Sequence, residues 1–261
     1  ARGNGTPLPL ESVTFADLLA EAGYRTALIG KSHLQNMEDR PSALPVRKTS
    51  QDLRPSARYP EATTRSIAGR EYMQELRSSW RDPAHRLTLP YYGFQDVVLC
   101  NNHADECFGD WLRWLEQAHS EIASQLGREH GQRDPAYAAP QAWRTRLTEF
   151  QYPTHYIAEQ TCEWLRQHCA VNAHQPFAVV CSFPDPHHPF TPPGRYWDMY
   201  DPETIRLPSS FHAGERAVVH RVAYANSTPS HFDGQRIWEN GDPTQSQLFE
   251  GWLYRYIHDN A

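Results

Sequence analysis

The 261-residue sequence has few of the features that mark several common protein classes. No apolar run approaches the roughly 20 residues that cross a membrane, so no membrane span is predicted. The formal net charge is −6, whereas nucleic-acid-binding proteins are usually basic, so a nucleic-acid partner is not expected. The five cysteines are odd in number and lack metal-ligand spacing, which favours neither a disulfide framework nor a zinc site.

The pattern of apolar residues predicts an α/β fold, in which helices alternate with the strands of a mostly parallel sheet. Thr14 and Asp17 form a predicted capping box at the start of the first helix, which Gly23 ends. The apolar residues of this helix share one face: Phe15, Leu18, Leu19 and Ala22. Strands are predicted at 24–29, 93–99 and 177–183, and further helices near 108–115 and 155–168.

The segment 35–90 is polar, rich in Arg, Pro and Ser, and has no sustained periodicity. It is too long for an ordinary connection, which favours a functional insertion. Its arginines either meet further anionic groups of a polyanionic glycan or are solvated, and the sequence leaves both readings open. The tail from 209 to 261 shows no clear pattern.

Two short blocks carry the chemical information. Residues 23–34 read GYRTALIGKSHL, and residues 182–190 read SFPDPHHPF. Each block is a buried strand that ends in a loop with basic side chains, and ligands of open α/β sheets bind beyond the carboxyl ends of strands. Lys31, His33 and His187 suit an anionic ester, because a positive charge holds the anion and imidazoles move protons.

Both blocks resemble the type I sulfatases, which are arylsulfatase-like enzymes of the alkaline phosphatase superfamily. Residues 14–34, with a helix, AGYRT, a strand and GKxHL, are similar to the second signature of that family, and 176–208 are similar to a later stretch. The clear resemblance covers about a quarter of the chain. It implies an alkaline-phosphatase-like sandwich, incomplete at both ends, with a mostly parallel central sheet flanked by helices. Residues 1–261 would form part of a single N-terminal catalytic domain.

The resemblance also implies a reaction, which is the hydrolysis of sulfuric esters by calcium and a formylglycine nucleophile. A formylglycine-generating enzyme makes this nucleophile from the Cys or Ser of a C/S-x-P-S-R motif. That motif and an Asp-Asp pair for calcium lie upstream of GKxH in the family, and this sequence contains neither. The near match STPSH at 227–231 has His for Arg and follows both blocks. We therefore expect an internal fragment that is inactive alone, with the nucleophile and the calcium ligands outside it.

The family's residue roles carry over to three positions. Lys31 would lie against the sulfate and neutralise the charge that grows as the ester bond breaks. His33 would bind the formylglycine hydrate and help remove its proton in the later elimination step. His187 would contact the sulfate ester and protonate the departing alcohol, because its ordinary pKa lies near neutral pH. His188 has no comparable role. The substrate would be a sulfate ester of a small molecule or a glycan, and the compartment stays open.

Several alternatives remain at this point. Asn4 resembles a substrate-contacting Asn of the phosphonate monoester hydrolase and arylsulfatase branch, or it belongs to a plain Asn-Gly turn. Asn102, His103 and Asp105 precede a predicted helix and line a pocket, or Asp105 caps that helix. The HDN sequence at 258–260 resembles part of the family's calcium site. We do not favour this interpretation, because the family's Gly is missing and the preceding segment looks helical.

Three functions are compatible with this sequence. Sulfatase activity is favoured by GKxH, because the phosphonate branch tends to replace that Lys and His. A phosphonate monoester or phosphodiester hydrolase uses the same framework. A non-catalytic pseudoenzyme would bind anionic sugars or esters without turning them over.

Overall fold

The computed structural model describes residues 7–37, 69–135, 141–201 and 204–206. The chain divides into two compact units. The first consists of Ala1–Asn102, Cys107–Trp114 and Tyr156–Phe183, and the second of His103–Glu106, Leu115–His155 and Pro184–Ala261. Asn4, the tail motif at 258–260 and most of the polar insertion lie outside the described residues.

Helices and strands alternate along the described chain. The helices are α1 (Phe15–Glu21), α2 (Arg77–Trp80), α3 (Asp110–Ala118), α4 (Ser120–Ala123) and α5 (Pro153–Val171). The strands are β1 (Arg25–Gly30), β2 (Asp96–Asn101), β3 (Phe108–Gly109) and β4 (Phe177–Ser182). The three predicted strands are thus confirmed with shifted bounds. Strand β2 begins late because Tyr91 and Phe94 close a tight turn through two backbone hydrogen bonds of 2.8 and 2.9 Å.

The four strands form one mixed sheet in the order β3-β2-β1-β4. Strand β1 is parallel to both of its neighbours, and Gly30 at its end is in register with Leu99 of β2 and Ser182 of β4. The carboxyl ends of these three strands therefore lie at one edge of the sheet. Strand β3 is antiparallel to β2 and only two residues long. The predicted α/β fold, with a mostly parallel sheet flanked by helices, is confirmed.

Two apolar clusters of described residues lie in the core of the first unit. Ala16, Leu28 and Phe94 make one cluster. The other contains Met37, Trp80, Leu99 and Phe108. Trp80 lies in the region predicted as a polar insertion, and that region also supplies buried Tyr72, Gln74 and Glu75. The described parts of this region, 35–37 and 69–90, therefore contribute to the core.

Helix α1 has the predicted capping box. The side chain that it buries, however, is not one of the predicted apolar face. The N–H of Thr14 donates to Asp17 Oδ2 at 2.7 Å, and the N–H of Asp17 donates back to Thr14 Oγ1 at 3.3 Å. Phe15 and Leu18 are 57% and 58% exposed, whereas Ala16 is fully buried. The reason is close approach: a Cβ placed on Gly93 would collide with the α1 backbone at Asp17, which leaves room there only for a small residue.

The second unit is organised by short contacts between its loops. Ala142 and Phe190 form an isolated parallel bridge and pack together. The indole of Trp197 is completely buried and donates from Nε1 to Asp134 Oδ2 at 2.6 Å. These contacts order the loop that follows β4 within this unit. No helix in the described parts of the chain is long and apolar enough to cross a membrane.

Candidate functional site

The loop after β1 begins at a position that requires glycine. Gly30 has φ +113°, and a Cβ built on it would collide with the carbonyl oxygen of Ser182. A backbone this close to a neighbouring strand accommodates no side chain. The N–H of Lys31 donates to the same Ser182 oxygen at 2.8 Å. The backbone of Lys31 is therefore fixed at the carboxyl end of the central strand.

Burial alternates along the first residues of this loop. Ser32 is 3% exposed, whereas Lys31 is half-buried and His33 is exposed. In an extended segment, side chains two residues apart leave the same face. The alternation fits the shared direction predicted for Lys31 and His33. That both side chains face a substrate stays a prediction.

A buried polar network centred on Glu75 ties this loop to strand β2. Asn101, the last residue of β2, accepts from the N–H of Ser32 at 2.7 Å and donates from Nδ2 to Glu75 Oε2 at 3.0 Å. The hydroxyls of Ser32 and Tyr91 both donate to Glu75 Oε1, each at 2.5 Å. Glu75 and Asn101 are fully buried, and Tyr91 is 1% exposed.

The protonation of this network follows from its burial. Burial raises the pKa of the Glu75 carboxyl because the charged form loses its hydration, and hydrogen bonds from Ser32, Tyr91 and Asn101 oppose that rise. Burial and the neighbouring Glu75 carboxyl raise the pKa of the Tyr91 phenol far above its usual value. Tyr91 therefore keeps its proton and acts as a donor to Glu75.

Gln35 fastens the other end of the loop to the segment that carries Glu75. Its side chain is 1% exposed. Gln35 Nε2 donates to the Glu71 carbonyl oxygen at 2.8 Å, and Oε1 accepts from the N–H of Gln74 at 2.9 Å. Buried hydrogen bonds therefore hold the loop from Lys31 to Gln35 at both ends. Buried polar groups need such partners in a folded protein.

The second unit contains three histidines whose rings lie together. The ring centroids of His103 and His187 are 3.7 Å apart and nearly parallel, at 19°. The His188 ring lies 4.1 Å from that of His187. Asn102 and Ala104, on either side of His103, have φ of 77° and 51°. Such left-handed conformations are uncommon outside glycine and often mark functional segments.

A hydrogen bond of His187 indicates that one of its ring nitrogens carries a proton. His187 Nδ1 lies 2.6 Å from the carbonyl oxygen of His188. A carbonyl oxygen only accepts, so Nδ1 carries the proton of this bond. A second proton on this ring would then bind at Nε2. The predicted role of His187 in leaving-group protonation would use this atom.

Two carboxylates order the loops beside these histidines within the second unit. Asp105, 1% exposed, accepts at Oδ2 from Thr145 Oγ1 at 2.7 Å and from Trp143 Nε1 at 3.1 Å. Burial raises the pKa of Asp105, and these two bonds oppose the rise. Asp185, two residues before His187, accepts from Thr154 Oγ1 at 2.8 Å.

The helix-cap alternative for Asp105 is wrong. Asp105 lies inside the short 3-10 turn Ala104–Glu106, and helix α3 begins later, at Asp110. The carboxylate is used instead to bond two side chains of its own unit. The helix bounds test only the helix-cap reading. That Asp105 lines a pocket stays a prediction.

The predicted site residues fall in different parts of the chain. Lys31 and His33 follow β1 in the first unit, and His187 belongs to the second unit. Asn4 lies outside the described residues. The catalytic and substrate-binding roles of all four residues stay predictions.

Metal-binding acidic, thiol and imidazole side chains are not clustered as a metal site in the described residues. Among them, no group of three or more His, Cys, Asp or Glu side chains is placed to hold a metal ion. Calcium prefers six to eight oxygen ligands. The expectation of calcium, with ligands elsewhere in the protein, stays a prediction.

Glu75 and Asn101 are the site residues that the sequence did not indicate. Glu75 lies in a segment without periodicity and is 43 residues from its partner Ser32. Asn101 gives a weak signal, since a polar residue ending an apolar strand often lies at the ligand-binding edge of a sheet. A buried carboxyl in a polar segment gives no signal of its own.

Comparison with known proteins bears on the fold. No protein-family model matches the sequence, and no curated protein matches it. The chain is similar to the crystal structure of phosphonate monoester hydrolase of Agrobacterium radiobacter, with a TM-score of 0.52 and 20% sequence identity. The match covers 98% of this chain and 42% of that chain, so this chain spans less than half the length of that enzyme.

At 20% identity the likeness establishes the fold alone. The Agrobacterium enzyme has an alkaline-phosphatase-like fold, and the present chain shares the α/β architecture of that fold. The predicted fold class is thus confirmed by a comparison that covers 98% of the chain.

Proposed function

We propose that the intact protein hydrolyses esters of an oxyanion and that its substrates are sulfuric esters. The position of Lys31 carries the proposal: this half-buried cation directly follows the central strand of the sheet, and its backbone is fixed by Ser182. Ligands of open α/β sheets bind beyond the carboxyl ends of strands. A partly buried ammonium is screened less by salt and water than an exposed one, so it holds an anion more strongly.

The side chains of this chain have distinct roles in the proposed reaction. Lys31 pairs with the anionic ester and neutralises charge on its oxygens as the bond to the alcohol breaks. His187, with Nδ1 held by the carbonyl of His188, delivers a proton from Nε2 to the leaving oxygen. His33, which is exposed beside Lys31, takes up a proton in the later step that frees the product.

In the proposed reaction, the nucleophile belongs to a part of the protein outside this chain. The resemblance of residues 23–34 to sulfatases suggests formylglycine, made by a formylglycine-generating enzyme, together with calcium. Because the described residues offer no metal cluster, the steps above involve only side chains of this chain. The same resemblance, through GKSH, favours sulfate over other oxyanions.

Hydrolysis of phosphonate monoesters is the second candidate. It is favoured by the likeness to the Agrobacterium phosphonate monoester hydrolase. A sulfate monoester and a phosphonate monoester are both tetrahedral and carry one negative charge near neutral pH. Lys31 would pair with either, so the substrate must be decided by experiment.

Turnover of two matched substrates tests the proposal. The intact protein, produced together with a formylglycine-generating enzyme and assayed with calcium, is given a nitrophenyl sulfate and a nitrophenyl phenylphosphonate. We expect kcat/KM for the sulfate to exceed that for the phosphonate at least about tenfold. The reverse order selects the second candidate. Binding of the sulfate without turnover of either substrate selects a non-catalytic anion-binding protein and overturns the proposal.

A further inference from the structure

Glu75 lies in the segment predicted as a polar insertion, yet it is completely buried and contacts three other segments. We propose that Glu75 is a positioning residue that holds Lys31 and His33 in place through Ser32. The inference rests on the function proposed above for the loop after β1.

The donors of the network match a carboxyl group at this position. Four donors converge on Glu75: the hydroxyls of Ser32 and Tyr91, the amide of Asn101, and the backbone N–H of Gln35. A carboxylate has about four acceptor positions on its two oxygens, whereas a glutamine has one acceptor oxygen and two donors. A glutamine fits only if the hydroxyls of Ser32 and Tyr91 rotate and accept hydrogen bonds from its NH₂ group.

Core stability alone is a poor explanation for this group. Burying a carboxyl costs free energy, and Glu75 forms no ion pair with any cation in the described residues that would offset the cost. Apolar residues of similar volume often stabilise an interior as well or better. What Glu75 adds is a fixed geometry among Ser32, Asn101 and Tyr91.

Ser32 is the residue through which this geometry reaches the site. It lies between Lys31 and His33 and is held twice: its hydroxyl donates to Glu75, and its N–H donates to Asn101, which itself donates to Glu75. Fixing both the backbone and the side chain of this residue fixes the directions in which its two neighbours leave the chain.

Ser32 itself is not the reacting group. It is 3% exposed, and its hydroxyl proton is directed into the Glu75 carboxyl. A substrate therefore has no access to its oxygen. Glu75 is fully buried, so both residues act on the reaction through Lys31 and His33.

Steady-state kinetics of the intact protein tests this role. We expect Glu75→Ala to lower kcat about 100-fold, the size typical of a misplaced catalytic group. KM should change less than about threefold, because the charge of Lys31 remains near the substrate. Glu75→Gln should recover at least about tenfold of the lost kcat, since it keeps the shape and can still accept from Asn101. Glu71→Ala, which removes an exposed carboxylate four residues earlier, is the matched control.

The kinetic result can contradict the proposal. A Glu75→Ala protein that is less stable to heat but retains the wild-type kcat would assign Glu75 to stability alone. Equal losses in Glu75→Ala and Glu75→Gln, without any recovery, would show that the geometry of the network is not what matters.

Amide hydrogen exchange separates this inference from the proposed function. The N–H of Leu34 donates to the Ser32 hydroxyl at 3.4 Å. In Glu75→Ala we expect the amides of Ser32 and Leu34 to exchange at least about tenfold faster, while those of β1 residues 26–29 stay protected. If the wild-type protein hydrolyses neither ester, the proposed function fails, and exchange alone decides whether Glu75 orders the loop. Unchanged exchange at Ser32 and Leu34 would overturn the inference.

Discussion

The side-chain oxygen of Asn101 accepts a hydrogen bond from the backbone N–H of Ser32 at 2.7 Å. The contact joins the last residue of β2 to the loop that follows β1. Strand-to-strand hydrogen bonding ends at the sheet edge, so this buried N–H would otherwise need another partner. Asn101 thereby extends the order of the sheet into the loop that carries Lys31 and His33.

Replacing Asn101 with alanine should destabilise the protein. The variant leaves the N–H of Ser32 and Glu75 Oε2 without their Asn101 partner, and each buried unsatisfied group costs about 1–3 kcal/mol. We expect the free energy of unfolding, measured by urea titration, to fall by about 2–3 kcal/mol. Asn172→Ala, at an exposed position near the end of α5, is the control and should change it by under about 0.5 kcal/mol. A similar small change in Asn101→Ala would contradict the network.

Gly30 should tolerate alanine less well than another glycine with a similar backbone. Gly30 and Gly23 have φ of +113° and +90°, but a Cβ on Gly23 meets nothing within 4 Å, whereas one on Gly30 collides with Ser182. Gly23→Ala should therefore cost only the strain of a left-handed residue, about 1–2 kcal/mol. Gly30→Ala should cost at least about 1–3 kcal/mol more because of the collision. Equal midpoints for the two variants in urea unfolding would refute the close approach.

The contact between Arg25 and Asp96 should contribute stability that acid removes. Arg25 donates to both carboxylate oxygens of Asp96, at 2.8 and 2.6 Å, and Trp164 Nε1 donates to one of them at 3.0 Å. Burial alone would raise the pKa of Asp96, but the bonds from Arg25 and Trp164 outweigh it and lower the pKa. The contribution is therefore complete above the unfolded pKa of about 3.9 and is lost as the pH falls through the lower folded pKa.

Urea unfolding of the wild type and Asp96→Asn between pH 2 and pH 7 would check this sign. We expect a wild-type advantage of about 0.5–1 kcal/mol at pH 7, the range for partly exposed ion pairs, and a smaller one at acidic pH. Glu21→Gln, on the exposed end of α1, controls for the loss of a carboxylate. An advantage that grows as the pH falls would contradict the assignment.

Glu75 should show the opposite pH dependence. Its folded pKa is raised by burial, so its contribution to stability is complete below the unfolded pKa of about 4.3 and is lost as the pH rises through the folded value. The stability of the wild type relative to Glu75→Gln should therefore decline from pH 4 upward. Urea titrations at several pH values measure this difference. A relative stability that rises with pH would mean that the donors to Glu75 outweigh its burial.

The sequence predicted the parts of the fold and site that depend on local pattern. The capping box of Thr14 and Asp17 and the three parallel strands are recognisable within short windows, because they depend on residues close in sequence. The placement of Lys31 directly after a central strand followed from the same pattern.

The parts that the sequence did not predict depend on distant contacts. Glu75 reaches Ser32 across 43 residues, and nothing near it in the sequence indicates burial. Strand β3 has only two residues, too few for an alternating pattern. The helical period of α1 identified its apolar face but not the residues that pack against the helix. Gly93 lies close to the α1 backbone, and Ala16 is buried there in place of the apolar face.

The most direct measurement is sulfate release from a nitrophenyl sulfate by the intact protein and by Lys31→Ala and His187→Ala. Arg81→Ala and His174→Ala, which remove an exposed cation and an exposed imidazole, are the matched controls. We expect kcat/KM to fall at least about 100-fold in each site variant, because charge stabilisation or a general acid is lost, while both controls keep wild-type activity. Wild-type turnover in either Lys31→Ala or His187→Ala would contradict this expectation.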